Sequence, residues 1–574
     1  MIGEVMKDTL VEAIKDVLGE LGVENPKVVL SYPEELSFGE FTTNVAMAYA
    51  KELGKNPKEL AEEIREKLSA RSISYISTIE VAGPGFINFS LSREYYSSLL
   101  VEIIKEGDQF GKSIILSGKK VMIEYTQPNP FKPFHIGHLM SNAIGESLSR
   151  IIESQGAQII RANYQGDVGP HVAKAIYGIF KKGKPDATLP LFKQAQIIGE
   201  YYAWGNTEYE TNNEAKTEIE RINKAIYEKS DEAVNELYVW GREVTLKAFE
   251  VLYTLLGTKF DYYFFESDTA VSGRKIVEER LKDGVFENSD GAIVFHGEKY
   301  DPTLHTRVFI NSQGLPTYEA KELGLTKMKF DLENPDLSIV TTAVEQKEYM
   351  RVVLKAVEIL YPEYSGKIMH INHGMMRFTT GKMSSRLGNV ITGESLVNDA
   401  VSVVTEIMKD RDMSEVERKA ISEIVAVSAI KFSILRQATG GDIIFDFENS
   451  ISFEGDSGPY LLYSVTRAKS AIAKALEVGI EESVQNPASK LTPLEQLLGR
   501  FPFVVSRAHE EYAPHHIVTY LLALSGAFNA FYAHNPIAQK ENPDSPYNLM
   551  ITKSFVSVIQ NGLSLLGIKV PSKM

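Results

Sequence analysis

Apolar residues recur at three- and four-residue spacing through 5–21 and again through 44–67, where NVAMAYAKELG and NPKELAEEIREKL share one face. That period predicts amphipathic helices. Short apolar runs at 27–32 and 79–91 predict strands, the second broken by Gly83-Pro84-Gly85. Residues 1–115 therefore read as an α+β unit. From Lys119 the pattern changes: KKVMIEYTQ predicts a buried strand, followed by a Pro- and Asn-rich turn and a helix from His135 toward Ser154. Strand-like runs return in RANYQG, RVFINSQ, SIVTTA and IMHINHG, with helical stretches between them. Such alternation predicts a Rossmann-like, doubly wound parallel sheet over 116–395. A charged helical segment over about 173–262 interrupts the order and reads as inserted. Beyond it, 396–454 is a helical connection and 455–574 an all-α bundle, opened by the loop FEGDSGPYLLY.

At 574 residues the chain is long enough for three or four domains. Apolar residues at 44% and charged residues at 24% are those of a folded globular chain. There is no cysteine, which excludes disulfides, thiolate zinc sites and cysteine nucleophiles together. The start of the chain lacks the basic and apolar regions of a signal peptide, so a cytoplasmic location is expected. The longest apolar stretch, 516–533, contains Thr519, Ser525, Gly526 and Asn529, and predicts a buried bundle helix rather than a membrane span. A net charge of −15 argues against indiscriminate nucleic-acid binding but leaves room for a local basic track.

Two motifs carry chemistry. NPFKPFHIGH places His135 and His138 where a strand hands over to a helix, a position at which backbone N–H groups and the helix dipole favour phosphate. Gly137, without a side chain, lets a base approach the backbone. The imidazoles can donate to ATP phosphate oxygens as charge builds in a pentacovalent transition state. GKMSSRLGN, with Lys382, Ser384, Ser385 and Arg386, has the composition of a loop that closes over a triphosphate. Either alone has a bland reading, as core histidines or as a basic surface loop. Two phosphate-binding elements in order on one parallel sheet make coincidence a poor explanation.

With those residues in view, the chain resembles the class I aminoacyl-tRNA synthetases, and among them the arginyl enzymes, over nearly its full length. His135 to His138 resembles their HIGH motif and Lys382 to Arg386 their KMSKS loop; EYTQPNPFKPFHIGHL, RANYQGDVG, FGEFTTNVAMAYAKELGKNP, VAGPGFINFSL and NGLSLLGIKVPSKM resemble further blocks. The resemblance implies arginine activation with ATP and Mg²⁺ and transfer to tRNA(Arg), by a monomer with no resident metal, zinc included. Departures are Gln127, Val168 and Leu387 in place of the family's frequent Ser, Trp and Lys. Ser385 replaces the second lysine of KMSKS, and the resemblance gives its role to Lys132, just upstream of His135.

A guanidinium is a permanently charged planar donor and calls for carboxylates. The resemblance points to Glu124, Asn129, Tyr318, Glu322 and Gln346 for arginine, with Glu322 where the family usually has Asp. A buried carboxylate at 124 needs a cation, and arginine itself is the expected counter-ion. Tyr460, Tyr463, Arg467, Tyr532 and Met574 match positions on the anticodon side, where aromatics beside arginine suit unstacked bases. A cysteinyl or methionyl enzyme would usually carry cysteine zinc sites. A non-catalytic paralogue would have lost motif residues that stand here.

Overall fold

The computed structural model describes residues 2–574 except 34, 379–391, 486, 488 and 489. Its first unit packs helices Ile2–Glu20, Pro57–Ser69 and Arg93–Glu106 on a three-stranded antiparallel sheet of Phe41–Thr43, Phe86–Leu91 and Ile76–Ala82. Gly83-Pro84-Gly85 is the hairpin turn between the last two strands. Residues 27–32 do not form the expected strand: only Ser31 bridges Thr42. Pro26 and Pro33 bracket the run, and proline has no N–H to extend a ladder. The stretch 44–67 is two helices rather than one, Val45–Tyr49 and Pro57–Ser69, because Asn56 caps the second by accepting from the Lys58 N–H at 2.9 Å.

The parallel sheet has five strands, β1 (Lys120–Glu124), β2 (Gln158–Gln165), β3 (Tyr262–Phe265), β4 (Leu337–Ala343) and β5 (Ile368–His373), in the order β5-β4-β1-β2-β3. Helix α1 (Ile136–Ser154) links β1 to β2. After β2 come α2 (Pro170–Lys182), α3 (Leu191–Thr211), α4 (Asn213–Glu228) and α5 (Glu232–Leu256), a helical insertion with its own core around Ile176, Ile198, Ile219 and Ile222. Then follow α6 (Glu266–Arg280), α7 (Tyr318–Glu333) and α8 (Lys347–Leu360). Two expectations change here. RVFINSQ supplies Thr306–Ile310, which pairs antiparallel in a separate small sheet. The parallel strand in its place is Tyr262–Phe265, at the border where the expected inserted segment of about 173–262 ends. A four-residue strand is too short to show a period of its own.

The rest is helical apart from Ile443–Phe445, which pairs with Met376–Phe378. Its helices are α9 (Gly393–Ile407), α10 (Glu415–Leu435), α11 (Gly458–Glu477), α12 (Pro493–Glu510), α13 (His515–His534) and α14 (Ser545–Leu565). α13, long and apolar enough to span a membrane, buries Ile517, Leu521, Leu524 and Phe528 inside the bundle. The first unit docks on this bundle through buried charge. Glu40, 6% exposed, accepts from the Leu91 N–H at 2.7 Å, from Gln496 at 2.9 Å and from the Tyr96 hydroxyl.

α6 and α7 cross at glycines. A Cβ on Gly273 would lie 1.8 Å from the Ala320 carbonyl oxygen, and one on Gly324 would lie 2.3 Å from that of Thr269. This close crossing sets the depth of α7 beneath the sheet. Gly273→Ala should destabilise the parallel-sheet domain by about 1–3 kcal/mol or more through forced separation of the two helices. Urea denaturation would show it as a lowered midpoint, and an unchanged midpoint would mean that the crossing is loose.

Candidate active site

Polar residues collect where the parallel strands end. β1 delivers Glu124, fully buried, onto the face covered by α7. The carboxylate is already paired: Oε2 forms an ion pair with Lys329 of α7, itself 3% exposed at the side chain, and Oε1 accepts from Gln127 at 2.6 Å. The expectation that bound arginine alone would balance Glu124 is therefore corrected. Lys329 lies seven residues after Glu322, on the same helical face. Glu322 stands close enough to Glu124 that burial and that neighbouring negative charge push its pKa up to about 8, although Lys329 and a Tyr349 hydrogen bond pull the other way. Two carboxylates and one ammonium thus share one dry pocket.

Asn129 occupies the turn after β1 and accepts from the Gly166 N–H at 3.1 Å. Only glycine fits at 166, since a Cβ there would fall 2.4 Å from the Asn129 Oδ1. Asp167, fully buried, accepts from Arg242 at 2.9 Å, Tyr238 at 3.0 Å and the Ser267 N–H at 2.9 Å, tying the end of β2 to α5 and α6. Glu266 and Lys321, both buried, pair at 2.6 Å beside it. Tyr318, 62% exposed, opens α7 at the rim, with the Lys321 ammonium 5.3 Å from its ring. Gln346 is exposed in the turn Val344–Gln346 directly after β4.

His135 precedes α1 and His138 sits in its first turn, their rings stacked with centroids 3.5 Å apart. Burial first, then Lys132 and His373, holds the His135 pKa down to about 4. His138 is pushed further below the usual imidazole range by burial and by His135. The His138 Nδ1 accepts from the His135 N–H at 3.2 Å, which leaves the proton of the neutral ring on Nε2. A Cβ on Gly137 would press on the His135 ring at 3.1 Å. Lys132 is half-buried, makes no ion pair among the described residues, and has its pKa lowered chiefly by desolvation. The expected Lys382, Ser384, Ser385 and Arg386 fall within 379–391, outside the described residues. Beyond that segment Thr392 bridges His135, and the Gly393 N–H donates to the Phe134 carbonyl at 2.8 Å, so the chain returns beside the histidines.

Pattern reading missed Lys329, Tyr349, and two groups that are buried without partners, both amide atoms of Gln165 and the Thr341 Oγ1. These last sit on β2 and β4, flanking β1 at the same end of the sheet. Unpaired buried polar atoms in native interiors call for an explanation, and a ligand edge supplies one. In the C-terminal bundle, Tyr460, Tyr463, Arg467 and Met574 line one cavity of about 440 Å³ with Asn529. Arg467 donates to Asn529 at 2.9 Å, and its guanidinium lies 4.6 Å from the Tyr463 ring. Tyr532 stands outside the lining, its ring 5.7 Å from Arg467.

Comparison with known proteins places this geometry. The family model described as tRNA synthetases class I (R), catalytic domain, matches residues 100–447. The chain belongs to the class I arginyl-tRNA synthetases. The Arginyl tRNA synthetase N terminal domain matches residues 4–91 and the DALR anticodon binding domain residues 461–574. Among its relatives are the arginine–tRNA ligase of Clostridium perfringens, 30% identical over 99% of this chain and 100% of that one, and that of Halothermothrix orenii, 29% identical over 99% of each. The Thermus thermophilus arginyl-tRNA synthetase structure shares the fold with a TM-score of 0.79 at 24% identity, covering 98% of this chain and 99% of that one. The Plasmodium falciparum arginyl-tRNA synthetase structure gives 0.73 at 21% identity over 99% of each. Burial and the neighbouring charges keep the two stacked rings neutral near pH 7. Nitrogen-15 NMR should find His138 as the uncharged Nε2–H tautomer at about pH 7 and still at about pH 5. A charged ring at about pH 7, or a proton on Nδ1, would overturn this assignment.

Proposed function

We propose that this strand-end site activates L-arginine with ATP to arginyl-adenylate and passes it to the 3′-terminal adenosine of tRNA(Arg), releasing AMP and pyrophosphate. What supports it most is the charge balance of the pocket beneath α7. Glu124, Glu322 and Lys329 sum to one unmet negative charge when all are ionised, which fits a ligand carrying one permanent cation. Asn129, Tyr318 and Gln346 stand around the mouth as polar contacts for the rest of the amino acid. Neutral His135 and His138 donate to the phosphates, and Lys132 supplies the cation that Ser385 cannot. Lys382, Ser384 and Arg386 act from the loop. Mg²⁺ arrives with ATP, held mainly through the phosphates. The cavity around Tyr463 and Arg467 receives an unstacked base of the tRNA, with Tyr460, Tyr532 and Met574 at its walls and rim. The enzyme works as a monomer in the cytoplasm.

Charging of tRNA should require arginine. Incorporation measured across a panel of amino acids tests this, and equal incorporation of lysine or none of arginine would remove the reading. The raised pKa of Glu322 adds a sign. In the empty pocket Glu322 holds a proton that the guanidinium must displace, so arginine binding releases a proton and tightens as pH rises. From about pH 6 to about pH 8 the arginine Kd should fall, by at most about tenfold per pH unit. Calorimetry in buffers of different ionisation enthalpy checks the proton release. Glu322→Gln should bind about 30-fold or more weakly with no such pH slope; an unchanged slope would mean that Glu322 does not face the guanidinium.

A further inference from the structure

A pocket short of one positive charge attracts lysine as well as arginine, since both carry a single cation on a chain of similar length. Charge alone does not separate them. The structure already seats one lysine there. Lys329 enters from α7, its side chain 3% exposed, and sets its ammonium against Oε2 of the fully buried Glu124. Oε1 of the same carboxylate accepts from the Gln127 amide at 2.6 Å. Both oxygens of Glu124 are therefore in use before any ligand arrives. Glu322, seven residues earlier on the same helix, accepts from the Tyr349 hydroxyl and makes no ion pair among the described residues. It is half-buried, whereas Glu124 and Lys329 are both shut off from water, so the filled seat lies deeper than the free carboxylate.

The two cations present their donors differently. An ammonium concentrates three on one strongly hydrated nitrogen and needs acceptors gathered at one point; a guanidinium spreads five over a rigid plane. At Glu124 the chain itself fills the compact seat. What remains is the second lone pair of each Glu124 oxygen and the oxygens of Glu322, divided between two residues. A planar fork can bridge them. An ammonium entering the same space would have to share Glu124 with the Lys329 ammonium, against like-charge repulsion in a dry interior.

We infer that Lys329 is a specificity-determining residue, which occupies the ammonium seat at Glu124 and so excludes free lysine from the arginine pocket. The inference rests on the arginine-charging reading of the same site. Occupancy is what the position supplies, so a neutral donor of similar length at 329 would serve as well. Removing the side chain empties the seat and leaves a buried carboxylate without a cation, a state that interiors tolerate poorly. Free lysine carries the group that is then missing.

Melting temperature and calorimetric binding are measured for wild type, Lys329→Ala and Lys329→Gln with arginine, lysine and norleucine, which has lysine's chain without the ammonium. Wild type should bind arginine and not respond to lysine. In Lys329→Ala the ratio of lysine Kd to arginine Kd should fall about 30-fold or more, the scale of a regained buried charge pair. Lysine, but not norleucine, should also raise its melting temperature. Lys329→Gln keeps a donor against Glu124 and should reject lysine as wild type does. An unchanged ratio in Lys329→Ala, equal stabilisation by norleucine, or a variant that stays unfolded with lysine present would overturn the inference. So would lysine binding by wild type or by Lys329→Gln. Wild type that binds neither amino acid would instead remove the arginine-charging reading beneath it.

Discussion

A charge in a dry interior has to find its opposite, and the catalytic half of this molecule is arranged around that requirement. Glu124 ends its strand with no exposure to water, so α7 must bring Lys329 to it. α7 can do so only because it lies close to α6, and that closeness depends on Gly273 and Gly324 at the crossing. The same helix then carries Glu322 into the pocket with no ammonium left over. Its raised pKa reflects burial beside the negative charge of Glu124. Arginine selectivity in this reading is a shortage of one positive charge, held in place by packing.

The second carboxylate–cation system performs a different task. Asp167 with Arg242, Tyr238 and Ser267 joins the helical insertion and α6 to the strand ends, and Glu266 with Lys321 joins α6 to α7. The insertion is thereby fixed beside the strand ends. Across the molecule, α1 is held by its middle. Arg150 donates to the carbonyls of Gly257 and Ser564, Ser147 to that of Leu565, and the buried Lys431 to those of Leu256 and Gly567, each of the last two at 2.7 Å. Helix C-termini leave carbonyls unsatisfied, and cations are suitable partners for them. The helix that begins at the two histidines is thus bonded to the last helix of the C-terminal bundle.

Part of the site could be read from local spacing. HxGH at a strand-to-helix boundary is a short-range pattern that constrains its own neighbourhood through backbone geometry, whereas the carboxylates at 124 and 322 and the glycine of NYQGD were pointed to by the family resemblance. The helices were legible wherever their apolar period ran for several turns. Residues 27–32 and 306–310 misled because a strand's partner and direction are not encoded in the strand itself. Tyr262–Phe265, at the border of the inserted helical segment, was too short to show a period of its own.

By itself, then, the sequence determined the order of the domains, the chemistry at the start of α1 and the demand for a cation at the strand ends. Only the tertiary structure decided which cation answers Glu124, since Lys329 lies 205 positions away along the chain. It also decided that Tyr460, Tyr463, Arg467 and Met574 share one cavity, and that the lysines of two inserted helices converge on a single tyrosine. The physical reason is common to all three: periodicity reports which face of an element is buried, whereas pairing between buried groups is settled by which faces meet.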